Sequence, residues 1–516
     1  MANQELFRKS TCADAALASR SGIRTEGSIV EDLPLSIDRD APRPLSVQVA
    51  DELRAAATAG RLRGGERLPS SRALAERLGV SRTVVTAAYD QLHAEGWISG
   101  RHGSGTYLTA APASVPAPVA ASALSDSVGE LLDLAPGAPC VAAIDRAAWR
   151  RAWRAASDRL PSARKDRGGE PDYLAMITEH LLRHRGLAPG TDSVVLATSG
   201  TSSAVGELAH AVLRRGDTVA VEDPGYLRAV GAFRAAGIEV LPIPLDDKGI
   251  RVDRIPADVR AVYCTPAHQF PLGARMPAAR RVELIDFARR TGALIIEDDY
   301  DGELRYDSAP LPLLASLDPS RVIHLGTTSK ILSTTLGVGW LVASRAVADA
   351  VTAHRESTGT CPAPAGQLVF AELARHGDLA RHLRRLRREM PPRRALVVAE
   401  LRARGLDVVG DHAGSHVLVP LESAAVEEAA IAHARDRGVR LDGLARHHAD
   451  RPHTFGAPIG YAALPSAELR AAITIAAECL AAASYAGPMR PLSTGGNSGS
   501  VACGPRGTKF SNRVRP

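Results

Sequence analysis

Between residues 42 and 109 the apolar positions follow a helical period three times over. Leu45–Ala59 carries Val49, Leu53, Ala56 and Ala57 on one face, and Gly60 stops it. Leu68–Gly79 predicts a second helix with a polar N-terminal cap and a terminating glycine. Val80–Leu92 predicts a third, with Ser81 as N-cap and Val84, Val85, Ala88 and Leu92 as its buried stripe. Two β-prone pieces, Trp97–Ser99 and Thr106–Leu108, then flank a glycine turn bearing Arg101 and His102. Past residue 131 the period changes. Short β-branched runs occur at Ser193–Ala197, Thr218–Val221, Glu239–Ile243, Ala261–Cys264, Ala293–Glu297, Val322–Leu325 and Val338–Val342, with amphipathic stretches such as Ala278–Arg290 between some of them. This alternation predicts an α/β fold: a large, mostly parallel sheet covered by helices on both faces.

The two regimes are separated by Ala110–Ala123, an uncharged Ala/Pro alternation of the kind that forms an extended, semi-rigid spacer. The expected organisation is a flexible N-terminal extension (1–41), a compact Arg-bearing domain (42–109), an Ala/Pro-rich linker (110–130), the α/β domain (131–486) and a disordered basic tail (487–516). Arginines clustered at helical spacing near Arg381–Arg404 read as a solvated helix face rather than a second nucleic-acid surface.

Composition refines this picture in three places. Aromatics are only 4% of the 516 residues, so the core must rest on aliphatic side chains. The net charge of +6 is compatible with a nucleic-acid partner but too small to prove one. Six cysteines without paired spacing argue against a disulfide framework and a structural zinc site, as in a reducing cytosol. The N-terminus has no basic-then-apolar signal pattern and no apolar run is long enough to span a bilayer, so a cytoplasmic protein without a membrane partner is expected.

In the first domain two short helices joined through Gly79 form a helix-turn-helix, whose second helix would lie in the DNA major groove. Ser81, Arg82, Thr83 and Thr86, at its exposed N-terminal end, are donors able to reach phosphates and base edges. The glycine hairpin is a wing that presents Arg101. Between Arg43 and Tyr107 nine arginines face six acids, so the block is locally basic. Helices, wing and linker in register resemble the GntR-type winged helix, which implies double-stranded operator DNA as partner. By that resemblance Arg72, Arg82, Thr83, His102 and Gly103 sit where the family contacts DNA.

Five motifs mark the second domain. Gly326-Thr-Thr-Ser-Lys330 follows a strand, and a lysine there, beside Thr327 and Ser329, can reach a cleft and form a Schiff base with an aldehyde cofactor. Ile295–Asp301 is an apolar strand running into acids. Asp298 suits a pyridine nitrogen and Tyr300 a phenolic oxygen, although a solvated acidic turn or a Mg²⁺ site uses the same letters. Ala197–Ser203 runs a strand into a small-residue helix start, where Gly200, Thr201 and Ser202 form an anion cradle suited to a phosphate. Val221–Tyr226 supplies Tyr226 to stack on a flat ring, and Tyr263–Gly273 turns His268 and Gln269 toward a cleft.

In this chain order the five resemble fold-type I aminotransferases. The His-Gln-Phe-Pro and Glu-Asp-Asp-Tyr-Asp strings resemble one branch, the MocR-type regulators, in which a GntR-type winged helix precedes an aminotransferase-like domain. The resemblance covers about Pro42 to Ala486. It implies pyridoxal 5'-phosphate as cofactor, held by Lys330, Asp298, Tyr300 and Tyr226, and a head-to-tail homodimer in which each DNA-binding domain packs on the partner's aminotransferase-like domain; no metal is expected.

The chain departs from that family after the lysine. The usual Leu-Ala-Pro-Gly-Leu-Arg-Leu-Gly reads Leu332-Ser-Thr-Thr-Leu-Gly-Val-Gly339 here, with Gly337 in place of the arginine that contacts the cofactor phosphate. Loss of a charge-assisted hydrogen bond amounts to about 1.5–3 kcal/mol, a tenfold weaker cofactor or more. Thr328 replaces the usual Phe, and Pro458–Tyr461 offers no arginine for a substrate carboxylate. These departures favour a regulator that senses an amine, an amino acid or pyridoxal phosphate itself. The rival readings are a working aminotransferase with an attached DNA-binding domain, and a regulator whose aminotransferase-like domain has lost the cofactor and only dimerises.

Overall fold

The computed structural model describes residues 35–101, 105–109, 131–160, 162–190, 192–306, 312–410 and 413–485. The chain divides into two compact units at residues 128/129. The expected linker (110–130), the basic tail (487–516), His102 and Gly103 lie outside the described residues.

The first unit packs α1 (Leu45–Thr58), α2 (Ser71–Leu78) and α3 (Arg82–Ala94) beside a hairpin of β1 (Ile98–Arg101) and β2 (Gly105–Leu108). Its ends are set by local chemistry. Ser70 and Ser81 accept from the Ala73 and Val84 amides at the starts of α2 and α3, while Gly79 ends α2 at φ +62°. The core joins Val49, Leu53 and Ala56 of α1 to Leu74 of α2 and Val85, Ala88 and Leu92 of α3. Two expectations need correction. Tyr89 takes the buried place expected for Val84, its hydroxyl donating to the Pro69 carbonyl at 2.7 Å; Val84 is only half-buried. Residues 35–41, expected within a flexible extension, belong to this unit: Leu35 and Ile37 pack on the core and Arg39 donates to the Gly79 carbonyl at 2.8 Å.

The second unit begins with β3 (Leu132–Asp133), α4 (Arg146–Ser157) and α5 (Pro171–Arg185). Strand and helix then alternate: β4 (Ser193–Thr198), α6 (Thr201–Ala211), β5 (Thr218–Asp223), α7 (Leu227–Ala235), β6 (Glu239–Asp246), β7 (Gly249–Ile250), β8 (Ala261–Cys264), α8 (Ala278–Thr291), β9 (Leu294–Asp298), α9 (Leu314–Leu317), β10 (Val322–Thr327) and β11 (Gly339–Ser344). These eight strands form one sheet in the order β4-β11-β10-β9-β8-β5-β6-β7. The five from β10 to β6 run parallel, and β11 and β7 pair antiparallel at the flanks. Successive residues feed opposite cores. Val262 and Ile295 enter one, while Tyr263 and Ile296 enter the other. Burial on both faces is why these strands read as apolar runs.

The chain closes with α10 (Arg345–Thr358), α11 (Pro364–Arg375), α12 (Asp378–Arg402), β12 (His416–Leu421), α13 (Ala424–Asp436), β13 (Val439–Arg440), β14 (Phe455–Gly460) and α14 (Ser466–Tyr485). β12 pairs with β14, and β13 pairs with β3, returning the start of the unit to its end. Within α12 the arginines are not all solvated. Arg393 is buried and donates to the Leu464 carbonyl at 2.6 Å. No helix among the described residues is long and apolar enough to cross a membrane.

Candidate functional site

The parallel strands end together, and the loops after β4, β5, β8, β9 and β10 surround a cleft of about 620 Å³. A cleft outside the carboxyl ends of the strands is where such sheets place ligands. Lys330 reaches it from the loop after β10. Its Nζ donates to the Gly137 carbonyl at 2.6 Å. Gly137 holds φ +106°, and a Cβ there would stand 2.9 Å from Nζ, so only glycine permits this approach. Burial lowers the Lys330 pKa, partly opposed by Asp301 and Asp298, and so favours the neutral, nucleophilic amine.

Asp298 ends β9 in the floor of the cleft and is fully enclosed. Oδ2 accepts from the Tyr263 hydroxyl at 2.6 Å, while Oδ1 is buried with no hydrogen-bond partner. Burial, with Asp299 adding to it, pushes its pKa up to about 7. An orphaned carboxylate oxygen facing a cavity lacks a cation or a donor.

Across the cleft, Gly200 precedes α6 at φ +112° and no side chain caps that helix. Gly200, Thr201, Ser202 and Ser203 all line the cleft, so free N–H groups and hydroxyls meet there. Thr327, Ser329 and Thr334 line the same wall, the first two hydrogen-bonded to each other at 3.0 Å. Tyr226 and Phe270 stand edge to face at 6.0 Å, and the Tyr226 hydroxyl bonds Ser202 at 2.8 Å. An anion cradle, an amine and an unpaired carboxylate around one flat-walled cavity fit a phosphorylated pyridine aldehyde.

Other predicted residues lie elsewhere. Tyr300 lines the cleft, but its hydroxyl donates to the His268 carbonyl at 2.9 Å. His268, expected to face the cleft, is buried behind it. Its Nδ1 is 2.8 Å from Asp301 and its Nε2 is buried without a hydrogen-bond partner. Gln269 is also turned inward, onto the Pro224 carbonyl at 3.0 Å, so Phe270 and Thr265 are the residues this loop presents. The acids read as a possible Mg²⁺ cluster point apart: Glu297 accepts the Leu314 and Ala315 amides, Asp299 is doubly bonded by Arg185, and Asp301 holds His268. Thr328 is buried and donates to the Val338 carbonyl at 2.9 Å. Gly337 does not line the cleft, and nothing stands within 4 Å of where its Cβ would be.

Sequence reading missed several lining residues. Arg228 follows Tyr226 by two positions and faces the cleft, with no carboxylate partner among the described residues. Its nearness to Tyr226 was the available signal. His416, Arg440, Arg446 and His447 come from the C-terminal elements, where no local motif announces them. Arg440 and Arg446 are paired with Asp133 and Asp442.

In the first unit Thr83, Thr86 and Arg72 are exposed. The Ser81 side chain is spent on the Val84 amide, and Arg82 Nε lies 3.4 Å from Ser71 Oγ, linking the starts of α3 and α2. Arg101 lies in β1.

Comparison with known proteins divides the chain in the same way. Residues 45–108 match the family "Bacterial regulatory proteins, gntR family", and residues 129–473 match "Aminotransferase class I and II". The chain is 32% identical over 468 residues to the probable rhizopine catabolism regulatory protein MocR of Rhizobium meliloti, covering 85% of this chain and 94% of that one. It is 35% identical over 377 residues to the pyridoxine biosynthesis transcriptional regulator PdxR of Corynebacterium glutamicum, covering 72% and 81%. Among solved structures, Pyrococcus horikoshii kynurenine aminotransferase superposes with a TM-score of 0.63 at 25% identity, over 68% of this chain and 91% of that one.

Proposed function

The chain belongs to the MocR subfamily of gntR-type regulators, a DNA-binding winged helix followed by an aminotransferase class I and II domain, and from that premise we propose that it is a transcription regulator that holds pyridoxal 5'-phosphate and senses a small amine or amino acid. The observation that carries the cofactor assignment is Asp298 Oδ1, buried without a partner in the cleft that Lys330 and the α6 N-terminus share. When bound, the cofactor supplies an aldehyde that condenses with amines and a ring that withdraws electrons.

In this reading Asp298 holds the proton of the ring nitrogen, and the attraction returns Asp298 to its ionised form. The α6 amides with Thr201, Ser202 and Ser203 take the phosphate and stand in part for the cation that Gly337 does not provide. Tyr226 and Phe270 flank the ring. Lys330 gives the attaching amine, its pKa lowered by burial. Arg228, which lines the cleft, offers a bidentate site for the carboxylate of an amino-acid effector. Dimerisation is proposed on the same footing.

The test is the absorbance of the purified protein mixed with pyridoxal phosphate. A visible band is expected, trapped onto the chain by borohydride and missing in Lys330→Ala. Amino acids should perturb that band in the wild type and far less in Arg228→Ala. No band at saturating cofactor would sink the assignment, and rapid transamination of several amino acids would favour the enzyme reading instead.

For the DNA half, Arg82→Ala is expected to weaken binding to a specific operator about tenfold or more, as loss of a base or phosphate contact does. Unchanged affinity in a fluorescence-anisotropy titration at fixed salt would remove Arg82 from the recognition surface.

A further inference from the structure

Below the cleft, the end of β5 meets a loop of the C-terminal elements at a cluster the cofactor reading does not use. Asp223 Oδ2 lies 3.0 Å from His448 Nδ1 and 3.7 Å from His453 Nδ1. The two imidazole rings are 4.3 Å apart, and all three ligand atoms fall within 4.8 Å of one another. Asp223 and His448 are buried, whereas the His453 side chain is 54% exposed.

The hydrogen bonds around the cluster orient its atoms inward. Asp223 Oδ1 accepts the Ala449 amide at 2.8 Å. His448 Nε2 faces the Thr454 carbonyl at 3.2 Å and the Thr454 hydroxyl at 2.9 Å. Donating to the carbonyl puts the ring proton on Nε2 and leaves Nδ1 with a lone pair, whereas accepting from the hydroxyl puts the proton on Nδ1. With the proton on Nε2, two acceptors face each other at 3.0 Å, an arrangement that a cation between them would satisfy. The His453 nitrogen completes a triangular face with these two atoms. Ligand atoms bound to zinc at about 2.0–2.1 Å stand roughly 3.3 Å apart in a tetrahedron, and the observed 3.0 and 3.7 Å bracket that edge. A backbone acceptor on the far nitrogen of a ligating histidine is the usual way of fixing its ring. The nearby Arg234 is engaged by Asp450 and the Ala449 carbonyl.

We propose that Asp223, His448 and His453 bind one divalent transition ion of zinc type, with its fourth position open to solvent on the His453 side. Asp223 stands three residues before Tyr226, and the Gly225 amide donates to the carbonyl of His447, itself a lining residue, at 2.8 Å. The ion therefore clips the C-terminal loop to the strand end that carries Tyr226 and Arg228, and braces one wall of the cleft.

The experiment uses the full chain, stripped with a chelator and titrated with zinc(II) against a competing chromophoric chelator. One zinc per chain is expected, bound at least about tenfold more weakly by His453→Gln. The zinc X-ray absorption edge should show nitrogen and oxygen neighbours only. The metal-free variant should unfold at the temperature of the metal-free wild type, which separates lost ligation from lost folding. Equal zinc affinity in His453→Gln, sulfur in the coordination shell, or no zinc retained by the wild type overturns the site.

Discussion

Replacing Asp298 by Asn is expected to weaken pyridoxal phosphate binding by about two orders of magnitude while stabilising the cofactor-free protein at pH 8. The affinity loss follows from exchanging a charged partner of the ring nitrogen for a neutral one, worth about 1.5–3 kcal/mol. The stability gain follows from linkage. In the fold the Asp298 pKa is pushed up to about 7, chiefly by burial, against about 3.9 unfolded. Between those values the folded chain holds a proton that the unfolded chain has released. Stability therefore falls as pH rises from about 4 to about 7, and above 7 the whole penalty, a few kcal/mol, is present. Asparagine carries no such charge. Glu222, also pushed up to about 7 by burial, keeps part of the slope in the variant. Urea denaturation of both cofactor-free proteins at pH 5 and pH 8, with cofactor titrations alongside, checks both halves. A variant with the wild-type pH dependence, or with near-wild-type affinity, would contradict the placement of Asp298.

The second large effect concerns a single hydrogen atom. Gly326 pairs with Trp340 across β10 and β11, and a Cβ on it would stand 2.1–2.4 Å from the indole Cε2, Cζ2 and Nε1. Trp340 is 1% exposed and its Nε1 donates to His324 Nε2 at 3.3 Å, so the ring has nowhere to go. Gly326→Ala is expected to destabilise the second unit by about 3 kcal/mol or more, the upper range for overpacking. The strand it sits in leads straight to Lys330, so cofactor binding should fail with it. Trp340→Ala alone leaves a void and also destabilises. The double variant should lose clearly less than the sum, because each change relieves the other. Additive losses in thermal denaturation would show that the clash is not what limits the site.

Much of the fold was legible because its periods are local. Six of the seven β-branched runs and the helix at Ala278 reappear within a residue or two in β4, β5, β8 to β11 and α8, while β6 extends three residues beyond its run and β7 had none. The chemistry at strand ends was legible for the same reason: Lys330, Asp298, Gly200 and Tyr226 each follow a strand that aims them. Loops were harder. The backbone between Cys264 and Gly273 turns so that His268 and Gln269 face inward and Phe270 faces out, an orientation that depends on Asp301 and Pro224, remote in sequence. Arg440, His447 and His416 reach the cleft only through pairing of β13 with β3 and of β12 with β14. No local pattern encodes the β13–β3 partners, Val439 with Leu132, or the β12–β14 partners, His416 with Gly460.

The bond between Lys330 Nζ and the Gly137 carbonyl couples two quantities usually treated apart. Gly137 lies four residues past β3, on the first segment after residues 110–130, the stretch that joins the two units along the chain. A ligand that draws Nζ into the cleft leaves that carbonyl short of its donor, raising the free energy of the anchored segment by about one ordinary hydrogen bond, 0.5–1.5 kcal/mol. Occupancy of the cleft and the hold on the Gly137 carbonyl are then linked, and a change in either is read in the other.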